Sequence, residues 1–189
     1  SNELDRATAL VEQRLAEGPS EIREGLLNLD KTRITQWNRR WPAAEVSAAQ
    51  ALAIFKKLDI SHLESAAWVE MSWVYLVKKD LRHSMQALNQ AASKARESRE
   101  PLMEINAHLI QSYMASKANQ IELMHTQLDL AKEMIKLHKL DNEHMVPVYT
   151  HLGWTAGSLD NALNHYNAVL AMPFSKQYED DFYIASQKV

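Results

Sequence analysis

The residues of this chain most able to do chemistry are its histidines and the carboxylates near them. Glu122 and His125 form one Glu-x-x-His, and Glu104 lies four residues before His108, so on helices each pair would share a face. Two such motifs plus two further inward glutamates would build a carboxylate-bridged di-metal site. The sequence contains one motif and no His-Glu-x-x-His, so no metal is expected. A catalytic serine lacks its Gly-x-Ser-x-Gly elbow. Glycines at 18, 25, 153 and 157 are too scattered to build a phosphate nest. Arg39 and Arg40, flanked by Trp37 and Trp41, form a basic and aromatic cluster able to stack on nucleic acid. An amphipathic helix end with cations near its negative pole is the better account of them, and no nucleic-acid partner is expected. The chain therefore reads as a non-enzyme without a cofactor.

Composition sets what can position any site. The 189 residues are 46% hydrophobic and 24% charged, with four Gly, five Pro and no Cys. Glycine is far below its usual share of roughly 7%, and the turns of a sheet-rich fold depend on it. An all-α chain is expected. The absence of cysteine excludes disulfides and thiolate sites and suits a reducing compartment, so a cytoplasmic location is expected. A formal charge of −3 supplies no general attraction to nucleic acid or anionic lipid, and no apolar run spans a bilayer. Ser1-Asn2 stand where an initiator Met would, so the chain reads as a piece of a longer protein.

Between Pro42 and Pro101, and again to Pro147, neither Gly nor Pro interrupts. Apolar spacing predicts helices from Leu4, around Ile22 to Leu29, from Lys31 to Arg40, and from Pro42 to Leu58. Ser61 and Glu64 form a capping box that should start a helix reaching Lys79, with a partner from Leu81 to Ser98. Further helices are expected over Leu102 to Ser116, Ile121 to His138, Asn142 to Ala156 and Leu159 to Ala171. Short connections force neighbours to run antiparallel.

The hairpins carry a repeating set of packing residues. Trp68, Met71, Ser72 and Tyr75, followed by Ser84, Leu88 and Ala91, place bulky and small residues where two helices cross. This stretch resembles a tetratricopeptide repeat, a 34-residue helical pair. Ala107, Ile110 and Met114 with Met124, Leu128 and Ala131 resemble a second copy, and Tyr149, Leu152, Gly153 and Ala156 with Ala162, Tyr166 and Val169 a third. Openers at 68, 107 and 149 are 39 and 42 residues apart, longer than the standard period. Such lengthened repeats resemble those of bacterial signalling proteins, ahead of diguanylate cyclases or beside DNA-binding domains.

The resemblance implies antiparallel hairpins stacked as a right-handed α-α superhelix in one domain over 1–189. Divergent helices would occupy 1–44, repeats 45–172, and a terminal helix or linker 173–189. It also implies a concave groove lined by Val69, Trp73, His108, Ser112, Thr150 and Trp154, which binds a protein or peptide or a second copy of the chain. Val69 and Trp73 stand where a basic carboxylate clamp would begin, so an apolar ligand is expected over an acidic tail. Two alternatives remain open: a metal-binding helical bundle using Glu104, His108, Glu122 and His125, and a ligand-binding bundle whose pocket is fed by the eight Met.

Overall fold

The computed structural model describes residues 2–140 together with 145, 148–150, 152, 163–165, 167, 168 and 171. Among the described residues there is no strand, and seven long helices follow one another: α1 (Asn2–Ala16), α2 (Glu21–Trp37), α3 (Trp41–Lys57), α4 (Ser61–Val77), α5 (Leu81–Glu97), α6 (Pro101–Lys117) and α7 (Ile121–Leu137). From α2 onward every helix has 17 residues and starts 20 after the last, at 21, 41, 61, 81, 101 and 121. Across these helices a pair therefore repeats every 40 residues, where the spacing read from the sequence is 39 between 68 and 107; the 42 read onward to 149 lies largely outside the described residues.

The rhythm is set at the helix ends. Arg39, Asp59, Lys79, Arg99, Asn119 and Lys139 all have positive φ, between 51° and 61°. Behind each, the next residue's N–H reaches back to a carbonyl five positions earlier, as in Asp80 to Tyr75 at 2.9 Å and Glu100 to Ala95 at 2.9 Å. This is the Schellman closure, and glycine is its usual left-handed residue. Here six side-chain-bearing residues adopt it, which is why a chain poor in glycine still turns sharply.

Two expectations are corrected. The separate segment from Lys31 to Arg40 is the C-terminal half of α2, continuous from Glu21. The capping box does not form: Ser61 is already helical, Ile60 precedes it without a side-chain cap, and Glu64 turns to Lys94 at 3.3 Å. A side-chain cap is found instead at Asp80, which accepts from the His83 N–H at 3.1 Å. The helices expected over Asn142 to Ala156 and Leu159 to Ala171, and the segment 173–189, lie largely or wholly outside the described residues.

The chain divides into two compact units, Ser1–Ala107 and His108–Val189. In the first unit consecutive helices pack side by side, α1 on α2 through α4 on α5, and α2 also touches α4. Leu29, Ala51, Leu52, Phe55 and Ala67 form one buried cluster, Ala44, Ala48, Met71 and Val74 a second, and Ala91, Ala92 and Ala107 a third. Trp68 packs against all three, so the α4–α5 pair is tied to the helices on either side. Alanine dominates because small side chains let neighbouring axes come close. In the second unit Met114, Met124, Leu128, Ala131 and Ile135 are buried, together with the polar His108, Gln111 and Ser112.

Candidate functional site

The 40-residue frame assigns each first helix the same positions. Trp68 corresponds to Asn28 and His108, Ser72 to Thr32 and Ser112, and Trp73 to Arg33 and Tyr113. The hydroxyl row Thr32, Ser72 and Ser112 is fully buried, and each hydroxyl donates to a main-chain carbonyl of its own helix, at 2.8, 2.6 and 2.7 Å. These are packing positions, where a short side chain satisfies its own polar group.

That frame places two of the expected groove residues, His108 and Ser112, level with Trp68 and Ser72. Aligning Ala107 with Trp68 set the register one residue early, so His108 and Ser112 fall on packing positions, not lining ones. His108 is 8% exposed and Ser112 0%, and His108 Nδ1 lies 2.7 Å from Gln127 Oε1 and 3.1 Å from Gln111 Oε1. Thr150 is also buried. Trp154 lies outside the described residues. The equivalents of Val69 and Trp73 in α6 are Leu109 and Tyr113, both half-buried, with the Lys117 ammonium 5.2 Å from the Tyr113 ring centre. Val69 packs against the Ala91, Ala92 and Ala107 cluster.

Trp73 does reach open space. With Arg33, Gln36, Trp37, Arg39, Trp41 and Glu70 it lines a cavity of about 570 Å³ formed by α2, the turn after it, the start of α3, and α4. The cavity's base is clamped. Arg33 Nε donates to Glu70 Oε1 at 2.8 Å, and Gln36 Nε2 donates to the Glu70 main-chain carbonyl at 3.2 Å. Glu70 is buried, and removing its arginine would leave a carboxylate with poor compensation. Trp37, by contrast, is 80% exposed, a large apolar surface at the end of α2. Arg39, in its left-handed turn, is exposed and forms no ion pair with another described residue, whereas its neighbour Arg40 reaches Asp5 at 3.2 Å. Three indoles and one free guanidinium therefore meet around a fixed polar base.

The sequence marked Trp73 as a groove residue and Trp37, Arg39 and Trp41 as a basic aromatic cluster, without joining them. Arg33, Gln36 and Glu70 were missed. Their signal was the 40-residue offset between Arg33 and Trp73, hidden because no glycine marks the turns.

A second cavity of about 520 Å³ is lined by Lys56, Trp68, Tyr75, His83, Gln86, Ala87, Asn89 and Gln90. The Lys56 ammonium sits 4.5 Å from the Trp68 ring centre, and Trp68 Nε1 is shielded from solvent without a hydrogen-bond partner. His83 Nδ1 lies 2.6 Å from Asp80 Oδ2, and hydrogen bonds from the His83 main chain and then its ring hold the Asp80 carboxyl below its ordinary value of 3.8.

Among the described residues no three His, Asp or Glu side chains gather as metal ligands would. Glu104 is buried and bound by Arg96, with Nε at 2.9 Å, while Glu122 and His125 face solvent.

No protein-family description matches the chain, and no curated protein matches it either. Among solved structures it is similar to the crystal structure of BtubC (BKLC) from P. vanneervenii, with a TM-score of 0.70 and 15% sequence identity over 100% of this chain and 86% of that one. At that identity the likeness concerns the fold. The chain is thus an all-helical protein of adjacent, repeat-like helices.

Proposed function

We propose that this chain is a tetratricopeptide-like superhelix that binds a protein or peptide without catalysing a reaction, as the interaction or input module of a larger bacterial regulatory protein in the cytoplasm. The observation that carries the reading is the open cavity bearing Trp37, Trp41, Trp73 and Arg39 over the Arg33–Glu70 clamp. Tryptophan and arginine dominate binding hot spots, because each buries a large surface and directs one or more hydrogen bonds. A fixed polar base with one exposed and two half-buried indoles around it suits an extended or helical segment that inserts one bulky side chain. Repetition supports the reading as well, since a stack of near-identical pairs leaves one helix row free to face a ligand.

Selection of peptides from a displayed library against the whole chain tests it. Enriched peptides should bind wild-type protein and lose at least tenfold in affinity with Trp37→Ala or Trp73→Ala, while circular dichroism stays unchanged for Trp37→Ala. Selected peptides that bind both variants as well as wild type would remove the cavity from the reading.

A further inference from the structure

We propose that the Trp37–Trp73 cavity receives the acidic, aromatic run at residues 178–183 of a second copy of this chain, with Arg39 accepting a carboxylate and the indoles an aromatic ring. The inference rests on the polypeptide-binding reading above and names the partner.

The chemistry of the cavity selects the occupant. Glu70, the carboxylate on its wall, is held by Arg33, so the charge left to a ligand is the positive Arg39. An exposed guanidinium beside the exposed Trp37 and the half-buried Trp41 and Trp73 is matched by carboxylates interleaved with aromatic rings: the carboxylate makes charge-assisted hydrogen bonds, and the ring stacks or packs edge-on. Tyr178, Glu179, Asp180, Asp181, Phe182 and Tyr183 place three acidic and three aromatic residues in six consecutive positions. No other six-residue window of the 189 does so. Every copy carries both halves, so copies can pair reciprocally about a two-fold axis or follow one another head-to-tail, and in either case the self-association grows with concentration. The acidic character of this occupant departs from the apolar ligand expected on the sequence, because the free cation comes from Arg39 on a turn and not from the groove positions of the first helices.

Sedimentation velocity of the full chain over a concentration series is the test, with Trp37→Ala, Arg39→Glu and the double variant Asp180→Lys, Asp181→Lys alongside wild type. Wild type should gain mass with concentration, each variant should lose that gain, and a chain carrying Arg39→Glu together with Asp180→Lys and Asp181→Lys should regain it, since the reversed charges again attract. A synthetic peptide of residues 176–185 should quench tryptophan fluorescence of wild type and bind Arg39→Glu at least tenfold more weakly. Wild type that stays monomeric at every concentration overturns the inference, as does mass that is independent of these substitutions. Equal binding of a peptide with Asn and Gln at the acidic positions, or of a short oligothymidylate, overturns it too. If library-selected peptides still need Trp37 when self-association is absent, the general peptide-binding reading stands and this assignment alone falls.

Discussion

The Ser84 hydroxyl donates a 2.8 Å hydrogen bond to the main-chain carbonyl of Ser72, across the hairpin between α4 and α5. Further from the turn the Ser65 hydroxyl does the same to Ala91 at 2.8 Å. Two serines, both fully buried, thus fasten the pair at two levels, and each hydroxyl donates to a main-chain carbonyl of the facing helix. The spacing that suggested a repeat therefore reports close helix crossing.

Close crossing leaves no room for bulk. Replacing Ser84 with Leu should destabilise the chain by about 1–3 kcal/mol through overpacking, and Ser84→Ala by about 1 kcal/mol through the lost bond. Urea unfolding measures both, and a Leu variant as stable as wild type would show that the helices are not in contact there.

Gly25 sets a helix-propensity gain against a clash. Alanine is worth up to about 1 kcal/mol over glycine inside a helix. A Cβ at Gly25, however, would lie 2.6 Å from Phe55 Cε1, on a ring that is fully buried and hemmed in. The clash should win, so Gly25→Ala lowers the melting temperature. Gly25→Ala combined with Phe55→Leu should then be less destabilised than the sum of the two single changes.

The left-handed turns offer stabilisation. A side chain at positive φ costs roughly 1–2 kcal/mol that glycine avoids. Lys79→Gly and Arg99→Gly should therefore raise the melting temperature, offset in part by the greater freedom of glycine in the unfolded chain. Arg39→Gly should raise it as well while removing binding to the neighbouring cavity, which separates stability from function at one position.

Exposed and buried apolar residues should respond oppositely. Leu88 is fully buried, and Leu88→Ala should cost about 2–5 kcal/mol by chemical denaturation. Trp37 is 80% exposed, and Trp37→Ala should change stability by less than about 0.5 kcal/mol although it removes the larger side chain.

Asp80 makes a pH-dependent contribution. Its folded carboxyl titrates below the ordinary 3.8, because the His83 main-chain N–H and then the His83 ring stabilise the ionised form. A lowered carboxylate pKa contributes stability that is present above 3.8 and disappears as pH falls through the folded value. The melting-temperature gap between wild type and Asp80→Asn should close progressively as the pH falls below the ordinary carboxylate value of 3.8.

Much of the fold was legible before any coordinates. Low glycine, uninterrupted amphipathic runs and the packing residues Ser84, Leu88 and Ala91 specify helices, their order and which face of α5 packs, because a 3.6-residue period is a property of the chain alone. Register was not legible. Six turns are made by Arg39, Asp59, Lys79, Arg99, Asn119 and Lys139; only Asp59 and Asn119 are of types that favour a left-handed backbone, so the 40-residue frame went unread and the register set at Ala107 ran one residue early, at positions where His108 and Ser112 are buried. The cavity was beyond sequence reasoning for a different reason. Trp37 and Trp73 lie 36 positions apart, and only the packing of α2 on α4, held by Arg33 and Glu70, brings them to one opening. Local periodicity fixes what each helix buries, whereas the meeting of two exposed faces depends on how helices distant in sequence dock.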